Sequence, residues 1–272
     1  MILVELRKLV RRPRTWVTIG LLDALPTLVG VLLAITDLGP SPGTGPAFLS
    51  AVLSDGSMFP LAALGIVLPL FLPVAVAVVA GEAIAGEAQG GTLRYLLVRP
   101  VGRTQLLVAK LVSVVGFVVL AVLVVAITGY VTGALLLGDQ PVATSVTTSV
   151  SGSGLSQEEV WQRTGAAMGY VMLSMLGVAS VALFFSTLTD TPLSAALGAM
   201  ALLIASTLLL TLDAAAVLAP YLPTRYWLAF VDLFRDPILW RDVTRGALQQ
   251  GAYVLVFLGA AWANFTTKDI TS

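Results

Sequence analysis

Six apolar stretches, at 16–36, 58–80, 106–137, 165–188, 192–212 and 247–265, take up about half of the 272 residues. A bilayer core of about 30 Å is crossed by roughly 20 apolar residues in a helix, and only a closed backbone ladder satisfies peptide groups in hydrocarbon. The pattern predicts an all-α polytopic membrane protein with six transmembrane helices. Composition agrees: 57% of residues are hydrophobic and 11% charged, against about 25% charged in a soluble domain. The stretch 106–137 is too long for a straight crossing, so it must tilt or project beyond the bilayer. The stretch 247–265 is interrupted by Gly251 and Asn264.

The residues that are missing exclude whole classes of chemistry. The chain has no Cys and no His. Disulfides, thiolate metal sites, Ser-His catalysis and HExxH zinc sites are therefore closed to it. Its lysines are Lys8, Lys110 and Lys268, and none stands in GxxxxGK[ST], so the chain carries no P-loop. No catalytic, cofactor-binding or metal-ligating residues are assigned. Fifteen Lys+Arg balance fifteen Asp+Glu, leaving no global field for nucleic acid.

Orientation follows from the basic residues between spans. The segment 1–14, the connection 82–105 with Lys110, and the tail carry ten Lys and Arg; the opposite connections carry five. Both termini are expected in the cytoplasm. A cleaved signal peptide fits poorly, because the first apolar run has about 20 residues and no A-x-A site follows it.

Between the spans the sequence predicts smaller elements. Residues 1–14 form an amphipathic interfacial helix, with Ile2, Leu3, Leu6, Leu9 and Val10 on one arc and Glu5, Arg7, Lys8, Arg11 and Arg12 on the other. Its basic face is expected against anionic headgroups. Segment 37–57, rich in Gly and Pro, and segment 138–163 read as outer loops. Within the second, Ser156 and Glu159 form a capping box for a short helix. Thr191 and Pro192 open the fifth span as N-cap and first helical residue. Segment 213–246, broken by Pro220, Pro223 and Pro237 and crowded with aromatics, reads as two short re-entrant outer helices. Pro69 and Pro73 should bend the second span.

The cytoplasmic connection reads "GEAIAGEAQGGTLRYLLVRPVGRTQLLVAK" from Gly81 to Lys110. Charges of both signs flank helical runs broken at Gly90–Gly91 and Pro100, which is the composition of an ordered elbow and not of a tether. At these residues the chain resembles the membrane subunits of type-two ATP-binding-cassette (ABC) exporters. Their acidic residue, second Glu, Gly-Thr-Leu, leucine pair, Pro, small residue, Arg and Lys fall on Glu82, Glu87, Gly91-Thr92-Leu93, Leu96-Leu97, Pro100, Gly102, Arg103 and Lys110. Glu82 departs from the more usual Asp. An N-terminal interfacial helix, two outer helices before the last span and a Lys268-Asp269 tail pair fit the same layout.

The resemblance implies a permease subunit of an ATP-driven exporter. Two permease chains, identical or homologous, would form the pathway above two copies of a cytoplasmic ABC ATPase that holds the ATP and magnesium. The elbow would be the coupling helix. Its contacts are expected at Glu82, Glu87, Gly91, Thr92, Leu93, Arg94, Pro100 and Arg103, with Gly91 allowing a sharp change of direction. It also implies a bacterial inner membrane.

Inside the membrane, Asp23 is the clearest charge. At about 2.5–3.5 kcal/mol for insertion it needs a partner or water, and it is the candidate pathway residue. Gly129–Gly133 and Gly165–Gly169 fit GxxxG and are expected at helix contacts. An ATP-independent carrier or channel remains an alternative, though such proteins use several intramembrane acids or broken midplane helices. An intramembrane aspartyl protease would need facing acids, and Asp23 and Asp213 lie at different depths. A non-translocating assembly subunit is the third alternative.

Overall fold

The computed structural model describes residues 2–36, 56–91, 102–136, 146–151 and 153–267. Eight α-helices lie among them. They are α1 (Ile2–Arg11), α2 (Pro13–Thr36), α3 (Phe59–Val67), α4 (Phe71–Gln89), α5 (Arg103–Leu136), α6 (Gln157–Leu188), α7 (Pro192–Leu210) and α8 (Trp240–Thr267). Five of these, α2 and α4 to α7, are long and apolar enough to cross a membrane. α8 has the length, at 28 residues, but Gln249, Gln250 and Asn264 lower its hydropathy.

α6 is the hub and packs against α8, α4, α7 and α5. In its most apolar window 67% of residues are buried, against 22% in α2, which lies at the periphery. α5 carries the other half of the bundle, gathering α1, α2, α3 and α4. At 34 residues, α5 is about 51 Å long and outruns the hydrocarbon core.

The second apolar stretch is two helices, not one. α3 stops at Val67, Leu68–Leu70 form a turn, and α4 restarts at Phe71 after Leu70 with φ −138° and ψ −56°. The cause is local. Pro69 and Pro73 carry no amide hydrogen, so the carbonyls of Gly65 and Pro69 lose their i+4 donors and the rings crowd the preceding turn.

The expected capping box exists: Ser156 Oγ accepts from Glu159 N–H at 3.3 Å and Glu159 Oε2 accepts from Ser156 N–H at 2.8 Å. The helix it starts does not stop, however, and runs from Gln157 to Leu188. The end of the expected outer loop is therefore the first turns of α6. Just before it, β1 (Val146–Thr148) pairs antiparallel with β2 (Gly154–Ser156). Thr191 and Pro192 open α7 as expected.

Segment 213–239 forms three 3-10 turns, Asp213–Ala215, Ala219–Tyr221 and Trp227–Phe234, where two helices were expected, and α8 begins at Trp240. Such short turns leave carbonyls without intrahelical donors. Side chains of α8 and α6 supply them. Gln250 Nε2 donates to the Pro223 carbonyl at 2.7 Å, Gln249 Nε2 to Leu222 at 2.8 Å and Tyr170 Oη to Tyr226 at 2.6 Å. Arg163 donates to the carbonyls of Leu233 and Arg235.

The two GxxxG pairs differ. A Cβ on Gly129 would stand 3.0 Å from the Ala63 Cβ, and one on Gly133 would overlap the Gly56 carbonyl, so this pair admits the start of α3. Gly165 and Gly169 meet nothing within 4 Å, so no helix contact among the described residues uses them. Gly133→Ala is expected to lower stability by about 1–3 kcal/mol, and Gly169→Ala to raise it by about 0.5–1 kcal/mol. Thermal unfolding of the two variants in one detergent reads the difference in sign.

Candidate functional site: a charged clamp at the base of the bundle

The N-terminal helix packs on the bundle through only part of its apolar arc. Leu9 is buried, and Leu6 reaches α5 at Gly116, where a Cβ would stand 2.8 Å from Leu6 Cδ2. This orientation leaves Leu3 exposed at 81%, with Val4 and Val10 also outside. It also turns Glu5 and Lys8 toward the protein, while Arg7 and Arg11 stay outside.

These inward charges meet α4 and α5. Lys110 Nζ lies 2.8 Å from Glu87 Oε1 and 3.3 Å from Glu5 Oε2, and Lys8 Nζ lies 3.3 Å from Glu87 Oε1. Glu82 is held by Arg14 at 2.9 Å and Arg12 at 3.8 Å. Four cations and three carboxylates thus line a cavity of about 180 Å³ between α1, the start of α2, α4 and α5.

The contacts differ in weight. The Lys110 side chain is 6% exposed and Glu87 16%, so their pair sits where charge is costly to leave uncompensated. Arg14 is 65% exposed, and a pair so open to water contributes about 1 kcal/mol at most. Lys110 is the centre of the clamp, and Arg12 and Arg14 are its rim.

A second fastening lies on the other side of α4. Ser186 of α6, buried, accepts from the N–H groups of Ile84 at 3.1 Å and Ala85 at 2.9 Å and donates to the Gly81 carbonyl at 2.6 Å. Its hydroxyl thus bonds both the Gly81 carbonyl and the Ala85 N–H, an i, i+4 pair of the helix ladder. α4 then ends at Gly90, and Gly91 has φ +65°, the left-handed conformation that glycine adopts without a Cβ penalty.

Where the chain returns, Arg103 donates from Nη1 to the carbonyls of Phe265 at 3.4 Å and Thr266 at 3.0 Å, placing a cation on the last turn of α8. Trp262 Nε1 donates to Thr104 Oγ1 at 3.0 Å, and Asn264 ties α8 to Thr187. Both ends of the connection between α4 and α5 are therefore fixed to the bundle.

Of the sequence-assigned coupling residues, Glu82 and Glu87 are brought together with α1, and Gly91 and Arg103 bound the connection. Thr92, Leu93, Arg94 and Pro100 lie outside the described residues, as do Leu96, Leu97, Lys268 and Asp269. Asp23 is half-buried beside Thr128 of α5. Its Oδ1 is buried without a hydrogen-bond partner among the described residues, and the shallow hollow it lines is formed by α2 residues. Sequence reasoning missed Glu5, Arg14 and Ser186 as partners. Only Glu5 carried a signal, as the one acid in an otherwise basic segment 1–14.

Among the described residues no group of three or more His, Cys, Asp or Glu gathers as a metal site. The clamp's chemistry is electrostatic and mechanical: it sets where the connection leaves the bundle. Residues 1–157, which hold α1 to α5 and every member of the charged clamp, match the family model described as "ABC-2 family transporter protein". No curated protein matches the chain.

Proposed function

The chain belongs to the ABC-2 transporter family, and from that premise we propose that it is the permease subunit of an ATP-driven exporter. It is a multi-pass membrane protein of a family that implies partnership with a cytoplasmic ABC ATPase. The observation that carries the reading is the family match over residues 1–157.

In this reading α8 joins the five apolar helices as the sixth span, its polar side chains satisfied within the chain. The paired α3 and α4 together make the second crossing. Both termini face the cytoplasm of a bacterial inner membrane. Two ATPase copies, binding ATP and magnesium, engage the connection 82–105, and closure of the ATPase pair moves the spans as rigid bodies. Glu82, Glu87, Gly91, Thr92, Leu93, Arg94, Pro100 and Arg103 are the coupling residues. For Glu82 and Glu87 the clamp supports an indirect share: their carboxylates hold α1 and so aim the connection. A second permease chain, identical or homologous, completes the pathway, and Asp23 is its candidate polar residue. The aromatic outer turns and greasy interior suit an amphiphilic substrate.

Gentle purification from the native membrane tests this. A P-loop ATPase is expected in the same peak at equal copy number. A chain that elutes alone and supports solute flux without ATP would overturn the proposal.

A further inference from the structure

The cavity enclosed by the clamp changes character along its length. At one end Arg14 of α2 faces Glu82 of α4 across 2.9 Å. One helical turn further along each wall, about 6 Å, the lining residues are Thr18 on α2 and Val78 on α4. Val79 and Val114 continue the apolar lining. Trp16, between Arg14 and Thr18, is exposed, and tryptophan settles at the headgroup level of a bilayer. The cavity therefore runs from the water side of the headgroup layer to the edge of the hydrocarbon.

The charges at its polar end do not cancel. Lys8 and Lys110 are matched by Glu5 and Glu87, whereas Arg12 and Arg14 share Glu82. Arg12 stands 3.8 Å from that carboxylate, beyond hydrogen-bond distance, and its guanidinium makes no hydrogen bond among the described residues. A guanidinium is a planar fork of N–H donors that matches the oxygens of a phosphate. One positive charge is thus left over, at the rim, beside walls that turn apolar within a turn. Arg7 and Arg11 do not share this setting, since they lie exposed on the outer side of α1 and line no part of the cavity.

We propose that this cavity seats one singly anionic phospholipid from the adjoining leaflet. Its phosphodiester accepts from Arg12 and Arg14, its glycerol region lies against Thr18, and its chains leave past Val78 into the bilayer. Basic pockets between spanning helices hold lipid headgroups by this chemistry, and Glu82 disfavours a headgroup with a second negative charge. The lipid supplies the charge that the clamp lacks and joins the start of α2 to α4. The inference rests on the reading of the chain as a membrane-spanning subunit and adds a ligand to the clamp.

The test uses the full chain in a mild detergent, without ATPase, titrated with short-chain phosphatidylglycerol, phosphatidylcholine or inorganic phosphate. Thermal unfolding and native mass spectra read affinity and stoichiometry. One phosphatidylglycerol is expected per chain, bound about fivefold more tightly than phosphatidylcholine, the effect of one cation facing an anionic headgroup. Arg12→Gln should abolish that preference and Arg14→Gln should reduce it; both side chains hold only exposed pairs, so the variants keep their fold. Arg11→Gln removes the same charge from the outer side of α1 and should leave the preference intact. Equal affinity for the two lipids, or an equal loss in Arg11→Gln and Arg12→Gln, overturns the site as general attraction to a basic helix. Inorganic phosphate that binds as tightly as phosphatidylglycerol overturns the assignment to a lipid. Binding is read without ATP or flux, so a chain that turns out to have no ATPase partner would sink the permease reading and leave these outcomes standing.

Discussion

Lys110→Met lowers the unfolding free energy of the full chain by about 3 kcal/mol, and adding Glu87→Gln restores more than half of that loss. The asymmetry follows from burial. Lys110 is the most enclosed member of the clamp, with Glu87 and Glu5 both within 3.3 Å of its ammonium. Met preserves the stem and removes the charge, leaving two carboxylates at 16% and 17% exposure facing the same gap with only the half-exposed Lys8 between them. Removing one partner of a buried pair costs about 3–5 kcal/mol because the other charge stays behind; partial exposure puts this one at the lower end. With Glu87→Gln as well, the acid left is Glu5, and Lys8 stands three residues along the same helix to pair with it.

Arg14→Gln is the control. Its contact with Glu82 is as short, 2.9 Å, but the guanidinium is 65% exposed, and the expected loss stays within about 1 kcal/mol. Denaturant or thermal unfolding in a single detergent, run as a double-mutant cycle, gives the coupling term directly. Equal losses for Lys110→Met and Arg14→Gln would mean that water fills the cavity and screens Lys110. The clamp would then not hold α1.

These contacts mark where sequence reading stops. Glu82, Glu87 and Lys110 stand out as charges beside an apolar run, and hydropathy finds them. Their partners cannot be found that way: Lys8 is 79 residues from Glu87 and Glu5 is 105 from Lys110. The amphipathic arc of α1 suffers from the same blindness, because a moment counts apolar residues and cannot see that Glu5 and Lys8 have a buried destination. Helix α7 and the start of α6 were legible because caps are local, with Thr191–Pro192 and Ser156–Glu159 each acting within three residues.

Hydropathy reads the second stretch as one continuous helix because it ignores donors. Pro69 and Pro73 were visible as a bend, but two missing amide hydrogens four residues apart end a helix outright. Segment 213–239 shows the converse. Its aromatic content pointed to the outer leaflet, yet its conformation depends on Gln249, Gln250 and Tyr170 donating from distant helices. No local pattern records that dependence.

Ser186→Ala should change export far more than stability. The hydroxyl makes three contacts with α4, but its loss strands no group permanently. Ala85 N–H and the Gly81 carbonyl are an i, i+4 pair of the helix ladder, so each has a partner within α4 once the hydroxyl is gone. The stability change is therefore expected within about 1 kcal/mol, the net value of an ordinary hydrogen bond. Losing the hydroxyl unties this turn of α4 from α6, and what lies beyond shifts with it: Glu87 relative to Lys8 and Lys110, and Gly91 with the connection that it directs. If the connection carries motion from an ATPase, its aim is part of the coupling free energy, and terms of this kind run to about 1–3 kcal/mol, or roughly 5- to 150-fold. About a tenfold loss of ATP-driven export is expected in the reconstituted complex, with membrane insertion and ATPase association retained. The chain has no native cysteine, so spin labels on Arg11→Cys and Ala88→Cys report the movement without background. A shifted label distance with full export would show that the aim of α4 is irrelevant to coupling. An unchanged distance with lost export would place the role of Ser186 in something other than the position of α4.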